Sequence, residues 1–326
     1  MGVLIITCKE DPHPTKVIQS LKDRNVSVFR LNTDTFLSDY DLSWDSDFLD
    51  EGFTLRNIHT GLTLKESEIT SVWFRRNFKP VKVRYPGREE VNNHNLTEAQ
   101  GFLEYLYNEL YDKFSIGNYV FDDIANSKIY QIKTAKKVGF DVPETCYSNR
   151  KEDIIRFTEK HEWLVLKSIK SNAVISDNGN QHVFFAQKVK SEDLIQLPQE
   201  SFEQTINFVQ PYIEKAYELR VTVVCNDIFA CRIDSQNMDN DHGKIDWRQG
   251  LEHGMKHSAY ELPDNIKEAC REYLRMMHLN FGCFDFIVTP HGEYVFLECN
   301  PNGQWLWIEK FTGMPISESI ARHLAK

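Results

Sequence analysis

Two apolar runs near the C-terminus, GCFDFIVTP and EYVFLECN, are separated by the turn residues His291 and Gly292 and form a predicted β-hairpin. Such a pair must bury most of its side chains, yet Asp285 sits between Phe284 and Phe286, and Glu298 between Leu297 and Cys299, with Asn300 two residues on. Side chains two apart share a face of a strand, so Glu298 and Asn300 point the same way. Same-face neighbours on paired antiparallel strands approach within about 5 Å. Two carboxylates that close repel unless a cation lies between them. Carboxylate and amide oxygens of this kind suit Mg²⁺, which shares its shell with water and phosphates. Acidic residues flanking hairpins are also common at plain surfaces, so the pair needs support from the rest of the chain.

Four cations supply that support. Lys167 lies inside the apolar strand WLVLKSIK, where a buried ammonium is costly without an anion. Lys128 opens a helix after Asn-Ser, where backbone N–H groups favour anions. Arg220 in ELRVTVV and Arg232 in FACRID each stand between apolar neighbours. Singly, each reads as a snorkelling or salt-bridged residue. Together with a candidate metal site they point to a polyphosphate ligand.

The chain of 326 residues, 41% apolar, is long enough for more than one packed domain. Forty-eight acidic against 38 basic residues give a net charge of -10, which argues against duplex nucleic-acid binding and leaves room for local basic pockets. Seven cysteines without a CxxC pair or a zinc-type His/Cys cluster read as reduced, mostly core thiols. MGVLIITCKEDPH resembles a first strand rather than a signal peptide, and no apolar run approaches the roughly 18 residues of a membrane span. A cytoplasmic protein without membrane contact is expected.

Periodicity divides the chain into three. In residues 1–120, VLIITC, the helix at 13–25 and VSVFRLN make a βαβ opening, followed by the hairpin FTLRNIHTGLTL, the strand SVWFRRN and a helix at 96–114. In residues 121–205, a helix stops at Gly139; WLVLKSIK then pairs with HVFFAQKV across the turn SDNGN, and Pro198 interrupts a helical stretch. Residues 206–326 hold the long strands NFVQPYI, ELRVTVVCN and IFACRID, the helix PDNIKEACREYLRMMHL and the final hairpin.

The order Lys128, Lys167, VQPYI, Glu218-Leu219-Arg220, Arg232, Asp285 and Glu298-Cys299-Asn300 resembles the ATP-grasp ligases over nearly the whole chain. The resemblance implies mixed α/β and α+β lobes behind an N-terminal βαβ domain, ATP clamped between two lobes, Mg²⁺, and an acyl-phosphate intermediate. It implies that Lys128 and Lys167 contact the ATP phosphates, with Lys167 also near the adenine, and that Gln210, Pro211, Tyr212 and Ile213 form the hinge reading the adenine edge. By the same resemblance Glu218 holds the ribose hydroxyls, and Arg220 and Arg232 are catalytic, facing the transferring phosphate and the acyl phosphate. Asp285, Glu298 and Asn300 then bind two Mg²⁺ that neutralise the β and γ oxygens.

SVWFRRN and CNPNGQWLWIE further resemble the maturases of microviridin-type peptides, the graspetides. That likeness implies activation of Asp or Glu side chains in a ribosomal precursor peptide and ring closure by its Thr, Ser or Lys side chains, to ω-esters or ω-amides. The more widespread ligase ending has Pro-Gly shortly after the Asn; here Pro301, Asn302, Gly303 and Gln304 fill that loop. Trp305 and Trp307 read as walls of a core, as do Trp73 and Phe74. Arg75 and Arg76 could reach an acidic peptide or pair internally, with one of them structural. The resemblance places a precursor's leader helix on residues 171–189, SNAVISDNGNQHVFFAQKV, with Phe184 and Phe185 as an apolar seat and a plain ATP lid as the alternative. A homodimer is compatible with the sequence. Two other functions fit the nucleotide residues: a ligase joining a free amino acid to a carboxylate, and an ATP-binding regulator without chemistry.

Overall fold

The computed structural model describes residues 2–48, 52–170, 173–176, 181–238, 242–250 and 254–326. Strand β1 (Gly2–Thr7) is buried at every position, as expected of a central parallel strand covered on both faces. The helix His13–Asp23 returns the chain to β2 (Ser27–Asn32), parallel to β1, completing the predicted βαβ unit. Strands β3 (Tyr40–Ser43), β4 (Thr54–Asn57) and β5 (Thr63–Lys65) form a separate antiparallel sheet, with β4 and β5 the predicted hairpin. Strand β6 (Ile69–Phe74) pairs parallel with β1 on the side away from β2. The helix Glu89–Glu109 then leads to β7 (Phe114–Ile116), so the helix ends sooner than its periodicity suggested and a strand follows.

Two helices, Tyr119–Ala125 and Lys128–Lys137, join this domain to a four-stranded antiparallel sheet of order β12-β9-β13-β8. Its strands are β8 (Cys146–Ser148), β9 (Trp163–Lys167), β12 (Gln187–Lys190) and β13 (Asn207–Pro211). The expected partner of β9, residues 182–189, is displaced: besides β13, it is Gln187–Lys190 that pairs with β9, because β10 (Ala173–Ile175) and β11 (Gln181–Val183) make a hairpin of their own between them. Positions 171–172 and 177–180, most of the predicted turn, lie outside the described residues. Pro198 divides the following stretch into the helices Ser191–Ile195 and Gln199–Glu203, as its missing N–H requires.

The third sheet has the order β16-β15-β14-β17-β18, from β14 (Tyr217–Val224), β15 (Asp227–Ile233), β16 (His257–Tyr260), β17 (Phe281–Val288) and β18 (Tyr294–Asn300). One face carries Leu219, Val221, Phe284, Phe286 and Phe296 beneath Phe140 and Tyr273, the latter from the helix Asp264–Met276. Burying each large apolar side chain there is worth about 1.5–3 kcal/mol. The other face is polar at one end and joins a second core at the other. That core combines Val3, Ile5 and Trp73 of the N-terminal sheet with Phe281, Trp305 and the helix Ile316–Leu324. Among the described residues no helix is long and apolar enough to cross a membrane.

Candidate active site

Antiparallel register places the polar face. Arg220 on β14 lies opposite Asp285 on β17, and Asp285 lies opposite Glu298 on β18. Simple alternation would put Glu298 on the same face as Phe296, which is fully buried in the aromatic core. A bulge resolves the conflict: Asp285 pairs with Glu298 and Phe286 with Phe296, leaving Leu297 as the extra residue. Phe296 and Cys299 therefore turn into the core, while Leu297, Glu298 and Asn300 line a cavity of about 310 Å³.

Cations converge on the carboxylates. Arg220, buried, donates through Nη1 to both oxygens of Asp285 at 2.9 and 2.7 Å. Lys128 meets Glu298 from the first turn of its helix. That helix is tied to β18 by buried Gln131, whose amide donates to the Cys299 carbonyl (2.7 Å) and accepts from the Cys299 N–H (3.1 Å), completing an edge strand as a neighbour would. Asn300 donates to Asp285 and Glu298, each at 3.3 Å. Burial works against the charge of Glu298, but Lys128 and Arg248 outweigh it and hold this carboxylate well below the usual range. Burial dominates at Asp285 and raises it, against Arg220 and Arg248 and with Glu298 adding to the rise.

The same cavity reaches the expected hinge. Lys167 donates to Gln210 Oε1 (2.7 Å), and Gln210 in turn donates to Thr145 Oγ1 (3.0 Å). Burial pulls the Lys167 ammonium down to about 8, so it is poised for an anionic partner. Pro211, Tyr212 and Ile213 line the cavity beyond Gln210; the Tyr212 N–H is bonded to the Trp163 carbonyl (2.9 Å), and the Lys188 ammonium sits 3.6 Å from the Tyr212 ring centre. Glu218, buried, accepts from Lys215 (2.5 Å) and Ser235 (2.9 Å). Of the sequence-derived set, Lys128, Lys167, Gln210 to Ile213, Glu218, Asp285, Glu298 and Asn300 all line this one cavity, and Arg220 supports its floor through Asp285.

Arg232 does not join them. It pairs opposite Leu219, so strand parity sends it to the other face of the sheet. There its guanidinium lies 3.9 Å from the Tyr217 ring centre and its Nε donates to Asp234 at 2.7 Å. Its expected place at the transferring phosphate is corrected accordingly. Arg248, which sequence reading passed over, takes a position at the carboxylates: it reaches Glu298 at 3.0 Å, Asp285 at 3.5 Å and Asp246 at 3.3 Å. It arrives on the 3-10 turn Trp247–Gly250, held by Trp247, whose ring centre lies 5.1 Å from that of Trp307 with the planes tilted by 40°. Trp305 is fully buried against His13. The tryptophans thus wall and brace the site, and the run Asp246-Trp247-Arg248, two opposite charges around an aromatic, was the available signal.

Beyond Asn300 the loop is strapped from three sides. Arg75, 1% exposed, donates to the Asn302 carbonyl (2.6 Å) and pairs with Asp11 (3.4 Å); the Asn302 amide donates to Asp122 (2.7 Å); and Arg220 reaches the Gln304 carbonyl (3.4 Å). Gly303 packs so closely that a Cβ would come within 2.3 Å of Cys283 Cβ.

Asp285, Glu298 and Asn300 offer hard oxygen donors on one face, which fits Mg²⁺. No group of three or more His, Cys, Asp or Glu side chains able to hold a metal occurs among the described residues, so a Mg²⁺ here would complete its shell with phosphate oxygens and water.

Two family models match the chain in succession, the MvdD pre-ATP grasp domain over residues 2–122 and the RimK-like ATP-grasp domain over residues 125–324. The chain belongs to the RimK-like ATP-grasp family. Among solved structures, the Chryseobacterium gregarium RiPP-associated ATP-grasp ligase, in complex with ADP and a leader and core peptide, is similar at 30% identity, with a TM-score of 0.86 over 99% of this chain and 96% of that one. The macrocyclase MdnC from Microcystis aeruginosa MRC, bound with precursor peptide MdnA, is 28% identical with a TM-score of 0.83 over 99% of both chains. The macrocyclase MdnB from the same organism is 26% identical with a TM-score of 0.76 over 99% of this chain and 98% of that one. No match was found among curated proteins. The ATP-grasp fold behind a pre-ATP-grasp domain is thus as the sequence implied.

Proposed function

We propose that this ATP-grasp ligase activates Asp or Glu side chains of a ribosomal precursor peptide as acyl phosphates and links them to Thr, Ser or Lys side chains of the same peptide, as ω-esters or ω-amides. One observation carries the reading: the carboxylate face of Asp285, Glu298 and Asn300 is continuous, in one cavity, with the hinge Gln210 to Ile213, in a chain similar over nearly its full length to a peptide-bound macrocyclase and a peptide-bound RiPP-associated ATP-grasp ligase.

In this reading Gln210, Pro211, Tyr212 and Ile213 hold the adenine, Glu218 the ribose, and Lys128 and Lys167 the phosphates. Mg²⁺, held by Asp285, Glu298 and Asn300, would neutralise phosphate charge. Phosphoryl transfer needs positioning and charge stabilisation more than covalent help, and the protein supplies both. Lys128 and Arg248, each already against a carboxylate, are cations that can turn to phosphate oxygens as the nucleotide enters. Arg220 fixes Asp285 and the loop at Gln304, keeping the acyl end of the site in register.

The leader helix is assigned to the central lobe around residues 171–189. Within that stretch Phe184 is half exposed and also lines the cavity, so a peptide seated there would touch the wall of the nucleotide site. The protein works in the cytoplasm, where ATP and a fresh precursor are at hand, and a homodimer is compatible with this arrangement.

Incubation with ATP, Mg²⁺ and a precursor encoded beside this protein should release ADP and remove one water mass per ring. A mass gain on an acceptor would instead indicate an amino-acid ligase, and nucleotide binding without ADP release a regulator. Removal of the leader should weaken peptide binding and slow the reaction; unchanged affinity and rate would overturn the docking assignment.

A further inference from the structure

Residues 75–88, RRNFKPVKVRYPGR, hold six cations and no acid in a chain whose acidic residues outnumber its basic ones 48 to 38. The segment leaves the carboxyl end of β6 and runs without regular structure to the helix Glu89–Glu109. In the sheet order β2-β1-β6-β7 the chain departs from β1 towards one edge and from β6 towards the other. The crevice outside the carboxyl ends at such a switch in an open parallel sheet is where ligands settle. Arg75 is the first residue beyond β6, and Thr7 closes β1 beside it.

The segment starts at the active site and travels away from it. Buried Arg75 holds the Asn302 carbonyl, two residues past Asn300. Further along, the Val81 N–H donates to the Asp34 carbonyl (3.0 Å), and Arg84 reaches the Tyr40 carbonyl (2.8 Å) and Asp41 (2.9 Å). Lys79 and Lys82 are exposed and pair with no acidic side chain among the described residues. Arg76 lies 5.9 Å from the Phe78 ring centre. Phe78, Val81 and Tyr85 are 50%, 72% and 86% exposed.

A charge run that served only solubility would mix signs and would not carry three exposed large apolar side chains. Unopposed cations beside apolar faces attract an anionic chain that also has hydrocarbon to bury. Nucleic acid is disfavoured by the net charge of -10.

We propose that this basic strip at the β1–β6 switch receives the acid-rich segment of the peptide substrate and leads its carboxylates to the site beside Asn300. The assignment rests on the peptide-ligase reading above.

The test uses the full chain with Mg²⁺ and ADP, and fluorescence anisotropy of a labelled peptide of alternating Thr and Glu. Its counterparts are a Thr and Gln peptide and an oligothymidylate of similar length. The Thr–Glu peptide should bind, weaken as salt rises, and lose about tenfold in affinity in the Lys79→Glu/Lys82→Glu variant, while ADP affinity and melting temperature stay as they were. The Thr–Gln peptide should bind at least tenfold more weakly, by about 1.4 kcal/mol. Absent Thr–Glu binding, equal binding of both peptides, an unaffected double variant, or tighter binding of the oligothymidylate would each overturn the proposal. The readout involves no turnover, so the two readings fail separately. A precursor left uncrosslinked while the strip binds acid sinks the ligase reading; a precursor crosslinked without dependence on Lys79 and Lys82 sinks the strip.

Discussion

Arg220, Arg232 and Arg248 show how little an arginine's neighbours reveal about its task. Arg220 and Arg232 stand in similar apolar strands, yet parity turns one to Asp285 and the other to Tyr217. Arg248→Ala should lower the rate of ADP release on the order of 100-fold, whereas Arg232→Ala should leave it within a few-fold; equal losses in steady-state kinetics would contradict the assignment. Asp122 offers a test in stability. Burial lifts its carboxyl from 3.8 to about 7, against hydrogen bonds from Asn302 and the Asn118 backbone. Between those values the folded chain keeps a proton that the unfolded chain releases, so this contribution is complete below about 4 and is lost as pH rises through about 7. Urea melts of Asp122→Asn should show a flatter pH dependence than the parent across that window. Most of the site was legible because strand alternation and buried charge are local signals. Arg248 was not, because the 3-10 turn Trp247–Gly250 is too short to show a period and the carboxylates it meets across the site, Asp285 and Glu298, are distant in sequence.

At the scale of elements, the bulge in β18 decides what the hairpin can do. Without it, Phe296 and Glu298 would share a face, and either the aromatic core or the carboxylate face would be lost. The hairpin itself was readable from two apolar runs and a His-Gly turn, but a bulge leaves no mark in composition. Because Leu297 is the surplus residue, its deletion should preserve the pairing of Asp285 with Glu298 and of Phe286 with Phe296. The variant should fold with nearly native near-ultraviolet circular dichroism but bind ADP more weakly, having lost an apolar wall of the cavity. A collapsed fold would show that the strand needs the bulge for more than its parity. The misplaced partner of β9 has a similar origin, since three short strands in a row look alike to periodicity and only tertiary pairing sorts them.

For the whole molecule, periodicity divides the chain at 120 and 205, yet β13 (Asn207–Pro211), counted with the last part, pairs with β9 in the central sheet, and the way the parts share a core was not readable either. Ile316 and Ile320 lie in one apolar cluster with Val3, Ile5 and Trp73, and the Ser71 hydroxyl donates to the Leu324 carbonyl at 2.6 Å. Ile320→Ala should therefore cost about 2–5 kcal/mol, read as a single earlier transition in calorimetry rather than the loss of one lobe. The contact between Ser71 and Leu324 spans 253 positions. In synthesis, then, the first sheet to be made leaves the ribosome with an apolar face that the helix His13–Asp23 covers only in part, the rest staying open until a helix some 250 positions later has been translated. At about 5–20 residues per second, that face waits for tens of seconds, long enough for a chaperone to be its first partner.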